Sequence, residues 1–118
     1  MRYTFVSLRS FASLVKSYGL SLGDLRGIEN AIMAEPRAWP VIQGTGGVRK
    51  MRFAPERSGG GKSGGYRICY FVIDESGLVY LLTMFAKNEA ANISAEQRNR
   101  MAALVREIKS FHRKGTVK

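Results

Sequence analysis

The sequence predicts an α+β domain in which a small antiparallel sheet is packed by an N-terminal helical hairpin and a C-terminal helix. Three observations support this fold class: two amphipathic segments near the N-terminus, three consecutive apolar segments of strand length, and a capped amphipathic segment near the C-terminus. The predicted element order is β-α-α-β-β-β-α. Because the 118 residues contain no internal repeat, we expect a single domain over residues 1–118.

The N-terminal third is interpreted as a short strand followed by two helices. The strand is expected over Arg2–Val6. The first helix carries apolar residues at the i, i+3, i+4 and i+7 spacing of one helix face, and Gly19 ends it. These residues are Phe11, Leu14, Val15 and Tyr18. Ser21 and Asp24 have the S-x-x-D spacing of a helix start, and the second helix has to stop before Pro36.

The middle of the chain predicts three strands in an antiparallel meander. Val48–Ala54 alternates between two faces, as a strand does. Tyr66–Ile73 and Leu78–Phe85 are apolar runs rich in β-branched and aromatic residues. The segment Asp74–Gly77 between them favours a hairpin turn, since Gly77 can adopt a positive φ.

The last segment predicts a helix with two different faces. Ser94 and Gln97 have the spacing of a capping box, and Gly115 is the expected end. The buried stripe is expected to consist of Met101, Leu104, Val105, Ile108 and Phe111. The opposite face is basic, with Arg98, Arg100, Arg106, Lys109 and Arg113.

The composition points to an anionic partner and to the cytoplasm. Nineteen Lys and Arg stand against nine Asp and Glu, for a net charge of +10. Such an excess favours nucleic acid or an acidic protein as partner. Cys69 is the only cysteine and His112 the only histidine, which argues against a disulfide framework and a zinc site. No apolar run approaches the ~20 residues that span a bilayer, and we expect no cofactor or metal.

The glycine-rich segment Ser58–Gly65 resembles a phosphate-binding loop only superficially. That motif requires a glycine where this chain has Glu56, and the loop should lead into a helix, whereas a strand follows here. A flexible loop is the better interpretation. Arg57 and Lys62 nevertheless make this loop positive, so it could close over an RNA backbone.

A basic cluster on the predicted strands is the main candidate site. Lys50 and Arg52 share a strand face, Arg67 opens the next strand, and Lys87 follows the last one. Cleavage of RNA by its own 2′-hydroxyl needs a base, stabilisation of the charge on phosphorus, and protonation of the leaving oxygen. Clustered cations stabilise that charge, and a lysine crowded by other cations can act as the base. A solvated strand edge carrying Lys and Arg against aggregation is the alternative.

Further residues are candidates for RNA contact because they are basic or aromatic and accompany this cluster. Aromatic rings provide stacking faces for bases, although some of them have to belong to the core. The set consists of Arg49, Arg57, Lys62, Tyr70, Phe85 and Arg98.

Three stretches resemble the RelE/ParE toxin superfamily, and most closely its HigB-like branch. They are VIQGTGGVRKMRFA (Val41–Ala54), GGYRICYFVID (Gly64–Asp74) and LLTMFAKNEAANISAEQRNRM (Leu81–Met101). HigB-like toxins have a very similar QGTGG-x-RK-x-R segment, a loop rich in Gly and Lys, an R-x-x-YY or R-x-x-YF strand and a Y-x-KNE segment, in the same order. The N-terminal helical hairpin is similar only in kind.

The resemblance implies a RelE-like fold and a metal-independent endoribonuclease that cuts mRNA on the 70S ribosome. It assigns Arg67 to the scissile phosphate, Lys50 or Arg52 to activation of the 2′-hydroxyl, and Lys87 to charge or leaving-group protonation. The chain departs from RelE after the last strand, where Asn88 replaces an arginine and Ala90–Ser94 contains no tyrosine. The exact acid and base therefore stay open.

The resemblance also implies a cognate antitoxin, of the helix-turn-helix DNA-binding type, as partner. Trp39, Val41 and the helical hairpin are candidate docking residues, with Trp39 alternatively a core anchor. Two other functions remain open: a ParE-like toxin that acts on DNA gyrase without nuclease activity, and a non-catalytic module that binds RNA or ribosomes.

Overall fold

The computed structural model describes residues 2–55, 65–86 and 93–116, with the backbone alone for residues 114–116. The elements follow the predicted order β-α-α-β-β-β-α. They are β1 (Thr4–Ser7), α1 (Arg9–Ser17), α2 (Leu22–Ala34), β2 (Arg49–Phe53), β3 (Tyr66–Ile73), β4 (Leu78–Ala86) and α3 (Ala95–Thr116). The α+β class is confirmed. Over the described ranges, no helix combines the length and apolar character needed to cross a bilayer.

The four strands form one sheet in the order β1-β4-β3-β2. The antiparallel meander of β2, β3 and β4 is confirmed, and Gly77 adopts a φ of 64° in the turn between β3 and β4. The first strand corrects the expectation of a fully antiparallel sheet, because β1 pairs with β4 in parallel. Parallel neighbouring strands need a long crossover connection, which here comprises the whole chain between β1 and β4. The four residues of β1 contain no sequence signal for a partner so distant in the chain.

The sheet separates two apolar clusters because residues along each strand alternate between its faces. On one face, α1 and α2 bring Phe11, Ile28 and Ile32 against Met51 and Tyr70. On the other face, α3 covers a second cluster, which includes Val48, Cys69, Leu82, Met101 and Val105. Every one of these ten side chains is buried.

The helical hairpin has the predicted start for α2. The Ser21 hydroxyl accepts a hydrogen bond from the Asp24 backbone N–H at 3.0 Å, and an Asp24 carboxylate oxygen accepts from the Ser21 N–H at 2.8 Å. This capping box satisfies two backbone donors that the first turn leaves free. The helix ends at Ala34, before Pro36 as expected.

The C-terminal helix follows its prediction except near its end. The Ser94–Gln97 capping box forms, with distances of 2.8 and 3.1 Å. Phe111, expected in the buried stripe, is 69% exposed. The next residue, His112, takes the inward position instead, and its Nε2 shares a 2.8 Å hydrogen bond with the Tyr80 hydroxyl. Consecutive helical residues differ by about 100° in direction, so only one of the two can face the sheet. The helix runs to Thr116, one residue beyond the expected end.

Candidate functional site

Two rows of aligned residues cross β2, β3 and β4 beside the region that α3 covers. The first row is Arg52, Arg67 and Phe85, since Arg67 lies opposite Arg52 on one side and Phe85 on the other. The second row, one step along the same face, is Lys50, Cys69 and Thr83. Three predicted catalytic residues and one predicted RNA contact therefore lie together.

A bulge in β4 produces this alignment. Cys69 pairs with Thr83 but the next residue, Tyr70, pairs with Leu81, so β4 contains one extra residue here. Beyond the bulge the alternation of β4 is reset, and Phe85 packs beside the α3 cluster while Met84 enters the α1–α2 cluster. Without that extra residue, Phe85 would face away from Arg67.

Lys50 lies over a buried thiol. Burial raises the pKa of Cys69 to about 12, and the positive charge of Lys50 opposes that rise. The thiol is therefore protonated at neutral pH and inert as a nucleophile. Cys69 supports Lys50 as an uncharged neighbour, leaving the ammonium of this half-buried lysine available to an anion.

Arg67 is half-buried and held close to its own strand. Its Nη1 donates a long hydrogen bond, 3.4 Å, to the Tyr66 carbonyl. A Cβ built on Gly65 would lie 3.5 Å from the same Nη1, so the guanidinium is beside the start of β3. One weak neutral acceptor leaves most of its five donors for a phosphate.

Arg52 is exposed and its guanidinium lies over an aromatic ring. The Arg52 Cζ is 5.8 Å from the centroid of Trp39, within cation–π range. Such a contact at an exposed position contributes about 0.5–1 kcal/mol. Trp39 itself is half-buried and packs against the α1–α2 cluster, which favours its alternative interpretation as a core anchor.

The predicted RNA contact Arg49 instead holds the chain beside β2. Its Nη1 donates to the carbonyls of Arg37, at 3.1 Å, and Trp39, at 2.6 Å. Alternation along β2 places its side chain on the face opposite Lys50. Arg49 Nη1 is used within the protein, where it holds the connecting segment to β2, and RNA contact through the remaining donors of Arg49 stays a prediction.

Tyr70 also has a structural role. Its ring is fully buried, and its hydroxyl donates a 2.7 Å hydrogen bond to the Pro36 carbonyl. Burial raises the pKa of Tyr70 to about 12, and the nearby charge of Arg49 opposes the rise. A buried ring offers no face to a base, so the expected stacking role of Tyr70 is withdrawn. The sequence could not separate core from surface among its aromatic residues, because both kinds occur on strands.

Arg98 belongs to neither row, and the remaining predicted residues lie outside the described ranges. Arg98 is half-buried, and its Nη1 donates a 2.6 Å hydrogen bond to the Ile93 carbonyl just before α3. The predicted catalytic Lys87 and the predicted RNA contacts Arg57 and Lys62 lie outside the described residues.

The QGTGG segment shapes the entry into β2 rather than contributing a reactive group. Thr45 is fully buried; its hydroxyl donates to the Ile42 carbonyl at 2.7 Å and accepts from the Val48 N–H at 3.0 Å. Gly46 and Gly47 have φ values of 81° and 128°, which side chains rarely permit. The segment needs Thr45 and the two glycines to adopt this conformation, which explains the motif. The conformation also determines where β2, with Lys50 and Arg52, begins.

The charges around the two rows favour an anion. None of β2, β3 and β4 contains Asp or Glu. In the described part of the chain, no ion pair involves Lys50, Arg52 or Arg67. Within the same ranges, no group of three His, Cys, Asp or Glu side chains could hold a metal ion. The arrangement can therefore bind phosphate and stabilise additional negative charge on it.

A cavity lies elsewhere, at the end of β3 where the chain turns into β4. It has a volume of about 660 Å³ and includes Phe71, Asp74, Lys109 and His112 in its lining. Neither row of the candidate site contributes to it. We place the candidate site at the rows because their strands contain no carboxylates, whereas Asp74 and Glu75 line the cavity and disfavour a polyanion there.

Sequence reasoning missed Cys69, Thr83 and Trp39 as neighbours of the basic residues. The face of a residue can be predicted from alternation, but its cross-strand partner depends on register, which the bulge in β4 changes. Trp39 lies ten residues before Arg49 in the chain, and only the path of the connecting segment brings it to Arg52.

No family model matches the sequence. Among solved structures, the chain is similar to the toxin RelE of Escherichia coli, in the free state of a mutant with two arginine-to-alanine changes. The TM-score is 0.54 at 22% sequence identity, and the alignment covers 86% of this chain and 99% of that one. At this identity the likeness establishes the architecture, and the protein has the fold of the RelE toxin.

Proposed function

We propose that the protein is the toxin of a toxin–antitoxin system, an endoribonuclease that cuts mRNA on the ribosome and thereby stops translation. The observation that carries this proposal is the alignment of Arg52 with Arg67, beside Lys50, on a sheet face without carboxylates. The RelE fold and the HigB-like sequence motifs support the same function.

Each basic residue has a role in this proposal that follows from its chemistry. Arg67 binds the scissile phosphate, because guanidinium groups pair with phosphate oxygens in a bidentate manner. Lys50, in its neutral amine form, takes the proton of the 2′-hydroxyl and becomes an ammonium; arginine cannot take this role, because it is not deprotonated in a protein. Lys87, which follows β4, supplies charge or the leaving-group proton. Phe85 offers a partly exposed ring beside Arg67 for a base.

The reaction is an attack of the 2′-oxygen on phosphorus, which breaks the bond to the 5′-oxygen. The upstream product carries a 2′,3′-cyclic phosphate, and the downstream product carries a 5′-hydroxyl after it accepts a proton. No water or metal ion takes part in this step. The cations act mainly on the charge that develops on the phosphoryl oxygens, a contribution that can reach several kcal/mol per donor.

We also propose a cognate antitoxin of the helix-turn-helix DNA-binding type as partner and the cytoplasm as the location. The net charge of +10 favours an acidic segment on that partner. Val41, one of the expected docking residues, is 46% exposed and lines the cavity that also contains Lys109. The lining combines apolar residues and Lys109 with the carboxylates of Asp74, which is paired with Arg37, and Glu75, so an acidic segment of the antitoxin would bind at its basic side.

The test is mRNA cleavage in a translating extract, mapped by primer extension. Wild type, Arg67→Ala and Arg26→Ala are compared. Arg26 is an exposed arginine on α2, on the other side of the sheet, so its removal lowers the net charge equally. We expect codon-phased cuts from wild type and Arg26→Ala and their loss in Arg67→Ala, with all three proteins folded by circular dichroism.

The other functions give different results in the same assay. Growth inhibition on expression without mRNA cuts contradicts the nuclease and favours a gyrase-directed toxin. Ribosome binding without cuts and without growth inhibition favours a non-catalytic module. If naked RNA is cut at the same positions, only the proposed dependence on the ribosome is contradicted, and the nuclease activity is not.

A further inference from the structure

Trp39 and Arg52 form a pair at the outer edge of the sheet. Trp39 is the only tryptophan of the chain, and β2 is the edge strand that carries Arg52. The Arg52 Cζ lies 5.8 Å from the centroid of the Trp39 ring. The sequence predicts Trp39 as a docking residue or a core anchor, but it does not predict its contact with Arg52, because Trp39 belongs to a connector between α2 and β2.

The backbone on both sides of the ring is fixed by β2 itself. The Trp39 carbonyl accepts from Arg49 Nη1 at 2.6 Å, and the Pro40 carbonyl accepts from the Lys50 N–H at 3.0 Å. Val41 then forms a bridge with Arg49. The inner side of Trp39 packs on the α1–α2 cluster. The ring is therefore a rigid support, whereas the Arg52 side chain is exposed and would otherwise sample many rotamers.

Arg52 also needs such a support because of its cross-strand partner. Arg52 and Arg67 lie directly opposite each other, and side chains in that relation begin about 4.5–5.5 Å apart. Two like charges at this spacing repel each other. Arg67 Nη1 bonds the Tyr66 carbonyl along β3, while the Arg52 guanidinium lies over Trp39. The two guanidinium groups are therefore held apart, that of Arg67 beside β3 and that of Arg52 over the Trp39 ring.

We infer that Trp39 is a positioning residue for Arg52 and that the supported guanidinium binds an RNA phosphate adjacent to the one held by Arg67. A planar guanidinium over a ring keeps N–H donors at its edge for a phosphate. The inference rests on the proposed function and adds a residue and a role to it. Arg52 then acts in binding and Lys50 in proton transfer.

RNA binding provides the direct test, and the single tryptophan reports on the pair itself. A short single-stranded 2′-O-methyl RNA, which lacks the attacking hydroxyl, is titrated into wild type, Arg52→Ala and Arg26→Ala. We expect Trp39 emission to change and saturate in wild type and Arg26→Ala, and to change much less in Arg52→Ala.

Affinities for the same RNA, labelled with fluorescein and read by anisotropy, test the coupling. We expect Trp39→Leu to bind about two- to fivefold more weakly, as the loss of one exposed cation–π contact implies. Trp39→Phe keeps an aromatic face and should retain most of the affinity. Trp39→Leu with Arg52→Ala should bind no more weakly than Arg52→Ala alone. In single-turnover cleavage, Trp39→Leu should raise the protein concentration that gives half-maximal rate, whereas Arg26→Ala should change neither that concentration nor the maximal rate.

Additive losses in the double variant, or undiminished binding by Trp39→Leu, overturn the inference. Failure of wild type to bind this RNA at low salt also overturns it, and binding of an acidic peptide in its place then identifies the surface as a protein interface. The proposed function can fail separately. If Trp39 and Arg52 are coupled in RNA binding but wild type cleaves no RNA, the proposed nuclease activity is contradicted and the inference about Trp39 is not. Thermal unfolding of Trp39→Leu and Trp39→Phe shows whether weaker RNA binding reflects a loss of fold. In that case Trp39→Leu has a lower unfolding temperature, and Trp39→Phe restores stability and binding together.

Discussion

Lys50 and Arg67 carry different parts of the reaction, although both are basic residues on one sheet face. The distinction is one of proton chemistry: lysine can give up its proton, and arginine cannot. Position alone does not separate their roles, because phosphate attracts both. A substitution that introduces a basic group which always stays protonated, and therefore cannot accept a proton, separates them.

Lys50→Arg is that substitution. We expect RNA binding close to that of wild type and a cleavage rate lower by about 10²–10⁴-fold, the usual contribution of a general base. Single-turnover rates with saturating protein, together with anisotropy of labelled RNA, give the two quantities. A cleavage rate equal to that of wild type would show that Lys50 acts only through its charge.

The buried thiol under Lys50 predicts a loss of stability in alkali. The pKa of Cys69 rises from 9.0 in its ordinary state to about 12 in the folded protein. Below pH 9 neither state ionises this group; between pH 9 and 12 the unfolded chain ionises and the folded protein does not. The free energy of unfolding should therefore fall by about 1.4 kcal/mol per pH unit for this group as pH rises above 9.

Urea unfolding of wild type and Cys69→Ala at pH 7, 8, 9 and 10 measures this effect. The stability of wild type should decline more steeply than that of the variant between pH 9 and 10. Tyr70, whose pKa also rises to about 12, starts to contribute only above its ordinary value of 10.0. Parallel pH profiles for the two proteins would contradict the burial of the Cys69 thiol.

The sequence predicts which residues of the candidate site share a face but not which ones are adjacent. Lys50 and Arg52 could be assigned to one face from the period of a strand. Their partners Cys69 and Arg67 required the register of β2 against β3, and Phe85 required the bulge in β4. The stacking role expected for Tyr70 is contradicted for a different reason, since its ring is fully buried and its hydroxyl donates to the Pro36 carbonyl, which is distant in sequence.

At the scale of elements, the helices and strands were predicted well where local signals define them. The capping boxes at Ser21 and Ser94 and the turn before Gly77 depend on residues within one turn of the chain. The parallel pairing of β1 with β4 depends on the whole path between them, for which no local pattern exists. The exposed Phe111 shows the same limit, because His112 and Tyr80 determine which helix face turns inward.

The loop before β2 yields a prediction about Thr45. Thr45→Val keeps the shape of the side chain but leaves the buried Val48 N–H without its acceptor. We expect the free energy of unfolding to fall by about 1–3 kcal/mol, the cost of an unsatisfied buried donor. Thr45→Ser keeps the hydroxyl and serves as the control. Equal stability of Thr45→Val and wild type in urea unfolding would show that the loop does not depend on this bond.

At the scale of the whole molecule, the net charge of +10 acts together with the two rows. Distributed charge brings a polyanion to the surface from any direction, while aligned residues hold it in one register. The two contributions differ in salt dependence, because each phosphate contact releases counterions from the RNA.

RNA affinity should therefore fall with salt, and single residues should change the slope in a position-dependent way. For a single strand the logarithm of the binding constant falls with the logarithm of salt by about 0.7 per phosphate contact. We expect Arg67→Ala to reduce the slope by about 0.7 and Arg26→Ala to leave it unchanged. Equal reductions in both variants would mean that net charge alone, rather than the aligned rows, determines binding.

The most direct test of the account is the chemistry of the cut ends. RNA fragments produced by wild type in a translating extract are analysed for their end groups, with Arg67→Ala and Arg26→Ala treated in the same way. The account predicts a 2′,3′-cyclic phosphate upstream and a 5′-hydroxyl downstream, from wild type and Arg26→Ala but not from Arg67→Ala. Fragments with a 3′-hydroxyl and a 5′-phosphate, or cuts that persist in Arg67→Ala, would contradict it.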